Sequence, residues 1–269
     1  MIRVPQPTAA VFFVAGVAVL FVSGGSALGL WLDEGWLPAA EWLFVFLPAI
    51  AFVRLGGYDL GDTLSLRRPT ARGLAGAVLL GIGATPVAWA IGWAQGLVAP
   101  PPPGFVEAMV ALATAHTPGR LAWLLFAVAV TPAICEEVVF RGVLLSATRR
   151  LETWRVLALN GVVFGAFHFS FQTSIRFLPT AWLGIVIAWA VLRTGSIWAG
   201  VLMHLLNNGT IVLLASAPAL SWLVTDPDPP PPLWLLSLGA LSLVAGARVL
   251  GNEPARAEVA GALPHREEP

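Results

Sequence analysis

Six residues near the middle of this chain have types and spacings that could do chemistry together: Glu136, Glu137, Arg141, His168, His204 and Asn208. All six lie within apolar runs. A carboxylate at membrane depth costs about 3 kcal/mol and is retained mostly where it serves a pathway or a reaction. Glu137 and Arg141 are four residues apart, so they share a helix face and can pair. Glu136 is rotated by about 100° from Glu137 on an ideal helix. A division of labour follows, in which Glu137 neutralises Arg141 and Glu136 is left to accept a proton. Phe164 and His168 share a second face, with Gly165 beside them to admit a neighbouring helix. His204 and Asn208 share a third, so two hydrogen-bonding groups are aimed the same way.

Taken singly, each residue has a structural reading. A membrane histidine most often bonds a neighbouring helix, an asparagine facing a helix is usually structural, and a Glu–Arg pair on one helix is structural more often than catalytic. Their joint occurrence is far rarer than any member alone. Cys135 touches the glutamates in sequence but reads as a buried, apolar-like thiol. A single cysteine excludes an internal disulfide and any cysteine-based zinc cluster. His116 and His265 fall in a loop and in the tail and are assigned no role.

Long apolar helices must position these groups. Hydrophobic residues make up 57% of the 269 residues and charged ones 11%, with a mean hydropathy of +0.80. Soluble domains carry roughly 25% charged residues, so the expected fold class is an all-α polytopic membrane bundle. Apolar segments predict about eight spans, near 9–31, 37–54, 73–98, 121–147, 155–170, 178–193, 195–216 and 233–250. The first is read as a retained span and not as a signal peptide. At the rise per residue of a helix, Glu137 lies about 15 Å, His204 about 14 Å and His168 about 20 Å from the same end of their spans. Three helices thus bring polar groups to a similar level.

The helical domain is read as 1–251, followed by a polar, disordered tail over 252–269. Arginines at 3, 54, 67, 68, 72, 149, 150, 155, 193, 248 and 256 fall on alternate sides of the spans, which places both termini in the cytoplasm. Arg120 and Arg176 are the basic residues of the opposite loops. Residues 105–116 predict a short interfacial helix, and the prolines at 100–103 and 229–232 mark rigid loops. No internal repeat is visible, which counts against an inverted-repeat transporter. Zero formal net charge gives no case for nucleic acid. All fifteen basic residues are arginine, a bacterial-looking composition.

At these residues the chain resembles the CPBP family, the CAAX-protease and bacteriocin-processing enzymes (also called Abi or type II CAAX prenyl endopeptidases). The family is marked by Glu-Glu-x-x-x-Arg, Phe-x-x-x-His and His-x-x-x-Asn. These stand here as Glu136-Glu137-Val-Val-Phe-Arg141, Phe164-Gly-Ala-Phe-His168 and His204-Leu-Leu-Asn-Asn208. Pro132-Ala-Ile-Cys before the glutamates, Gly142-Val-Leu-Leu after the arginine, and Gly195-Ser-Ile-Trp-Ala-Gly also have the family's look. The resemblance covers about residues 121–210.

The resemblance implies an intramembrane endopeptidase of the inner (plasma) membrane, with a membrane-associated peptide or protein as substrate and the lipid bilayer as its setting. It implies that Glu136 and His168 activate a water, that His204 and Asn208 hold the oxyanion, and that Glu137 and Arg141 support them. On this reading no cofactor is required. The family is often labelled metalloprotease, so a zinc version would use Glu136, His168 and His204 as ligands, although the helical zinc motif His-Glu-x-x-His is absent. A proton-coupled transporter and a non-catalytic immunity protein are the alternatives from other classes.

Overall fold

The computed structural model describes residues 3–169, 176–225 and 229–252. The tail expected over 252–269 lies almost wholly outside them. Among the described residues, nine longer helices carry the fold: α1 (Pro7–Gly29), α2 (Trp36–Leu55), α3 (Ala71–Val98), α4 (Phe105–Ala113), α5 (Pro118–Thr148), α6 (Thr153–Phe167), α7 (Phe177–Thr194), α8 (Ile197–Ala215) and α9 (Leu233–Gly251). No strand occurs among the described residues, and the all-α bundle expected from composition is the architecture found. The apolar runs end at recognisable signals. Pro7 opens α1, Thr70 caps α3 through the amide of Gly73, and Thr117 caps α5 through that of Arg120.

Seven of these helices are long and apolar enough to cross a membrane. The expected span at 155–170 is different, because α6 has 15 residues and stops at Phe167. It covers about 22 Å, short of the roughly 30 Å hydrocarbon core. Irregular backbone at membrane depth is tolerated where protein buries it or where it lines a polar space. The helix expected at 105–116 is observed as α4, ending at Ala113.

α5 is the axis of the bundle, with every side chain from Cys135 to Thr148 buried. α1, α2 and α6 pack one side of it around Val139, Phe140, Leu144 and Phe164. A second core gathers α3, α7, α8 and α9 around Leu80, Ile187, Ala199 and Met203. Small residues set these distances, as expected where apolar side chains gain nothing by leaving lipid. A side chain at Gly83 on α3 would meet the backbone of Gly239 on α9 at 2.6 Å. Outward, large apolar side chains such as Phe12 (78% exposed) and Leu241 (68%) face the surroundings, a surface suited to lipid.

The arginine-rich helix ends are tied together. Gly195 takes a left-handed φ of 63° that lets α7 turn sharply into α8. The turn is pinned to the α2–α3 loop by the amide of Ile197 donating to the Ser65 carbonyl at 2.9 Å. Arg193 at the end of α7 donates to the carbonyls of Leu250 and Gly251 at the end of α9. At the opposite end, Arg120 pairs with Glu34, and the amide of Ala115 donates to Ser216 Oγ.

Candidate active site

The middle of α5 departs from regular helix. Residues Thr131–Glu137 are α-helical, but the stretches Leu125–Val130 before them and Val138–Leu144 after them are π-helical. Such bulges are frequent at functional sites. Pro132 supplies part of the reason, since it has no N–H to give the carbonyl of Val128. A buried carbonyl needs a partner, and Asn208 on α8 provides it, with Nδ2 donating at 2.9 Å. Asn208 Oδ1 accepts from Asn207, whose own oxygen accepts from Thr85 on α3 at 3.2 Å. Asn208 is therefore a brace between α5 and α8 first, with one N–H remaining for other work.

Glu137 and Arg141 pair as their spacing predicts, at 2.8 Å, with both side chains fully buried. The same carboxylate oxygen of Glu137 also faces Nδ1 of His204 at 3.0 Å. Glu137 thus orients two partners, one on its own helix and one on α8. Arg141 reaches further, donating to the Gly184 carbonyl on α7 at 3.1 Å and lying over the Phe164 ring at 4.6 Å. That carbonyl is within reach because α6 and α7 run close. A side chain at Gly184 would meet Gly161 Cα and Phe164 Cβ at 3.0 Å, and one at Gly165 would meet the Phe177 carbonyl at 2.7 Å.

Gly200 lets α8 approach Glu137, since a Cβ there would lie 2.6 Å from Glu137 Oε2. The carboxylate cannot retreat cheaply, because Arg141 and His204 hold its other oxygen. Gly200→Ala is therefore expected to destabilise the protein by about 1–3 kcal/mol, the usual cost of overpacking. Thermal unfolding in detergent measures this, and an unchanged midpoint would contradict the close approach.

Glu136 is 4% exposed, and its Oε2 has no hydrogen-bond partner. Two imidazoles face this atom, His168 Nε2 at 3.6 Å and His204 Nε2 at 4.0 Å. The three helices expected to converge do so here. His168 terminates α6, and its Nδ1 lies 3.0 Å from the Phe164 carbonyl. A carbonyl only accepts, so Nδ1 carries the hydrogen, and in the neutral ring Nε2 presents its lone pair toward Glu136. Phe164 walls both histidines, its ring 4.8 Å from that of His168 and 5.8 Å from that of His204. Cys135 is buried beside them, as expected of an apolar-like thiol.

The zinc reading can be tested on the same atoms. Among the described residues, no group of three His, Cys, Asp or Glu side chains is arranged to hold a metal ion.

One buried acid near the site escaped the sequence reading. Glu41, in the first turns of α2, is 2% exposed, and its Oε2 has no hydrogen-bond partner. It begins a π-helical stretch, Glu41–Phe46, that packs against Thr131–Glu137. The signal that singled out Glu136, a carboxylate in an apolar run, was present for Glu41 too, four residues inside the expected span at 37–54.

Over residues 118–210 the chain matches the family model described as type II CAAX prenyl endopeptidase, Rce1-like. No curated protein and no solved structure matches. The matched segment is about a third of the chain, and it begins at the first residue of α5 and ends just past Asn208 on α8. It agrees with the CPBP resemblance and supports a multi-pass membrane protein of the CAAX-protease kind. Glu41 lies outside it.

Proposed function

We propose that this protein is an intramembrane endopeptidase that hydrolyses a peptide bond in a membrane-associated peptide or protein, without a metal. The observation that carries the reading is the pairing of Glu136 Oε2 with His168 Nε2 across 3.6 Å, in a ring fixed by its bond to Phe164. Both groups accept, so a substrate water between them can donate a hydrogen bond to each. Its oxygen is then free to attack the scissile carbonyl, and general-base catalysis of this kind is worth about 10²–10⁴-fold. Glu136 takes the proton as the C–O bond forms and returns it to the leaving nitrogen as the C–N bond breaks.

The oxyanion formed in between needs donors aimed at it. His204 suits this role through Nε2, with its Nδ1 held 3.0 Å from Glu137 Oε1. The remaining N–H of Asn208, one turn further along α8, is the second donor. Glu137 and Arg141 act through His204 and touch no substrate. Both termini are assigned to the cytoplasmic face of a bacterial plasma membrane, on the placement of the arginines.

The test is cleavage of a membrane-anchored peptide by the purified protein in liposomes, with a strong chelator present and proton flux followed in parallel. Cleavage that survives chelation, with no flux, is expected. Flux without cleavage would move the site to the transporter reading, and loss of cleavage on chelation would end the metal-free mechanism.

A further inference from the structure

Asn208 can serve an oxyanion only if an N–H, and not its carbonyl oxygen, faces the site. An amide has two ends of opposite character, so its neighbours must choose between the two settings. The choice begins at Val128, whose carbonyl only accepts and takes its hydrogen bond from Asn208 Nδ2 at 2.9 Å. Asn208 Oδ1 is then turned to Asn207, which must answer with Nδ2, at 3.0 Å. That leaves Asn207 Oδ1 facing Thr85 Oγ1 on α3 at 3.2 Å, so the hydroxyl is the donor. Each amide is set by its neighbours, and the chain ends on Thr85.

Thr85 and Asn207 are both buried. Their helices lie close because α3 carries Gly81 one turn earlier, where a Cβ would stand 3.4 Å from Met203 Cα on α8. The single hydrogen of the Thr85 hydroxyl also has the Gly81 carbonyl within reach, at 2.9 Å on its own helix. It is shared between the two acceptors as a three-centre bond. A threonine in any helix can bond the carbonyl four residues back, so the Gly81 contact gives no reason for threonine here. The Asn207 contact does. Without the hydroxyl, a buried amide oxygen lacks its donor and the Asn207 amide is free to turn over. Its oxygen would then meet that of Asn208, which would be pushed out of its setting.

We propose that Thr85, acting through Asn207, is a positioning residue that holds the Asn208 amide with its nitrogen toward the site. This deepens the peptidase reading and rests on Asn208 being its second oxyanion donor. Thr85 acts without touching substrate, from a helix outside the residues 118–210 that match the family model.

Cleavage of a membrane-anchored peptide by the full-length protein in liposomes tests the role. Thr85→Val should lower kcat about tenfold, the worth of one hydrogen bond, with KM unchanged. Thr85→Ser keeps the hydroxyl and should restore kcat to within about threefold of wild type. In an Asn208→Ala background, Thr85→Val should cost nothing further, because the amide it positions is gone. A wild-type kcat in Thr85→Val, or a loss that multiplies in the double variant, would overturn the proposal. The hydrogen-bonded chain has a readout that needs no cleavage. The protein has four asparagines, few enough for each side-chain amide signal to be assigned by nuclear magnetic resonance after isotopic labelling of asparagine. Thr85→Val should move the signals of both Asn207 and Asn208, and Thr85→Ser should bring both back. An Asn208 signal that stays in place would overturn the relay. Signals that respond in this way in a protein that cuts no peptide would sink the peptidase reading and leave the chain from Thr85 to Asn208 standing.

Discussion

Glu136→Gln is expected to lower peptide cleavage by about 10²–10⁴-fold, the range for losing a general base, while leaving thermal stability equal to or above that of wild type. Glutamine keeps the shape of the side chain but cannot take a proton from water. Stability should not fall, because the Oε2 it replaces makes no hydrogen bond and both imidazoles lie beyond 3.5 Å. A buried charge without a bonded partner is a liability to the fold. The combination of lost rate and retained stability is the signature of a group kept for chemistry. The rate is read from a purified protein in liposomes and the stability from its unfolding midpoint in detergent. A variant that retains full rate would remove Glu136 from the mechanism.

Arg141→Met carries the largest expected effect on stability. Removing one partner of a fully buried ion pair leaves the other charge stranded, at a cost of about 3–5 kcal/mol. Here the stranded group is Glu137, whose second oxygen already lacks a partner. The guanidinium also donates to Gly184 on α7 and covers Phe164 on α6, so three helices lose a shared contact. The double variant Glu137→Leu with Arg141→Met should recover much of this stability, since replacing a buried pair by apolar residues is often neutral or better. Activity should not return with it. His204 would have lost the acceptor of its Nδ1, and with it the orientation that aims Nε2 into the site. Equal recovery of stability and cleavage would show that Glu137 has no part beyond balancing Arg141.

Spacing alone was enough to read some of this. The four-residue steps from Glu137 to Arg141 and from Phe164 to His168 survive in the structure, because both lie within one turn, where helix geometry is local. The apolar runs gave the helices to within a few residues at most ends, since burial of a continuous apolar stretch in lipid leaves little choice of structure. What spacing could not give is how helices meet. The bond from Glu137 to His204 crosses 67 residues and depends on Gly200, whose missing side chain has no periodicity to read. The family resemblance assigned Asn208 to the oxyanion, yet its first bond goes to the carbonyl that Pro132 leaves open on another helix. The short α6 was read as a full span because the apolar run continues past His168 while the helix does not. Glu41 was missed for a related reason, because its depth depends on the tilt and packing of α2 and not on its distance from the end of an apolar run.

The central claim is that Glu136 and His168 act on one water as a unit, and a double-mutant cycle on single-turnover cleavage tests it most directly. Groups that work as a unit lose nearly everything when either is removed. Glu136→Gln, His168→Ala and the double variant should therefore show losses that agree to within about threefold. If the two single losses instead multiply in the double variant, the residues contribute independently, and the shared water between them does not exist.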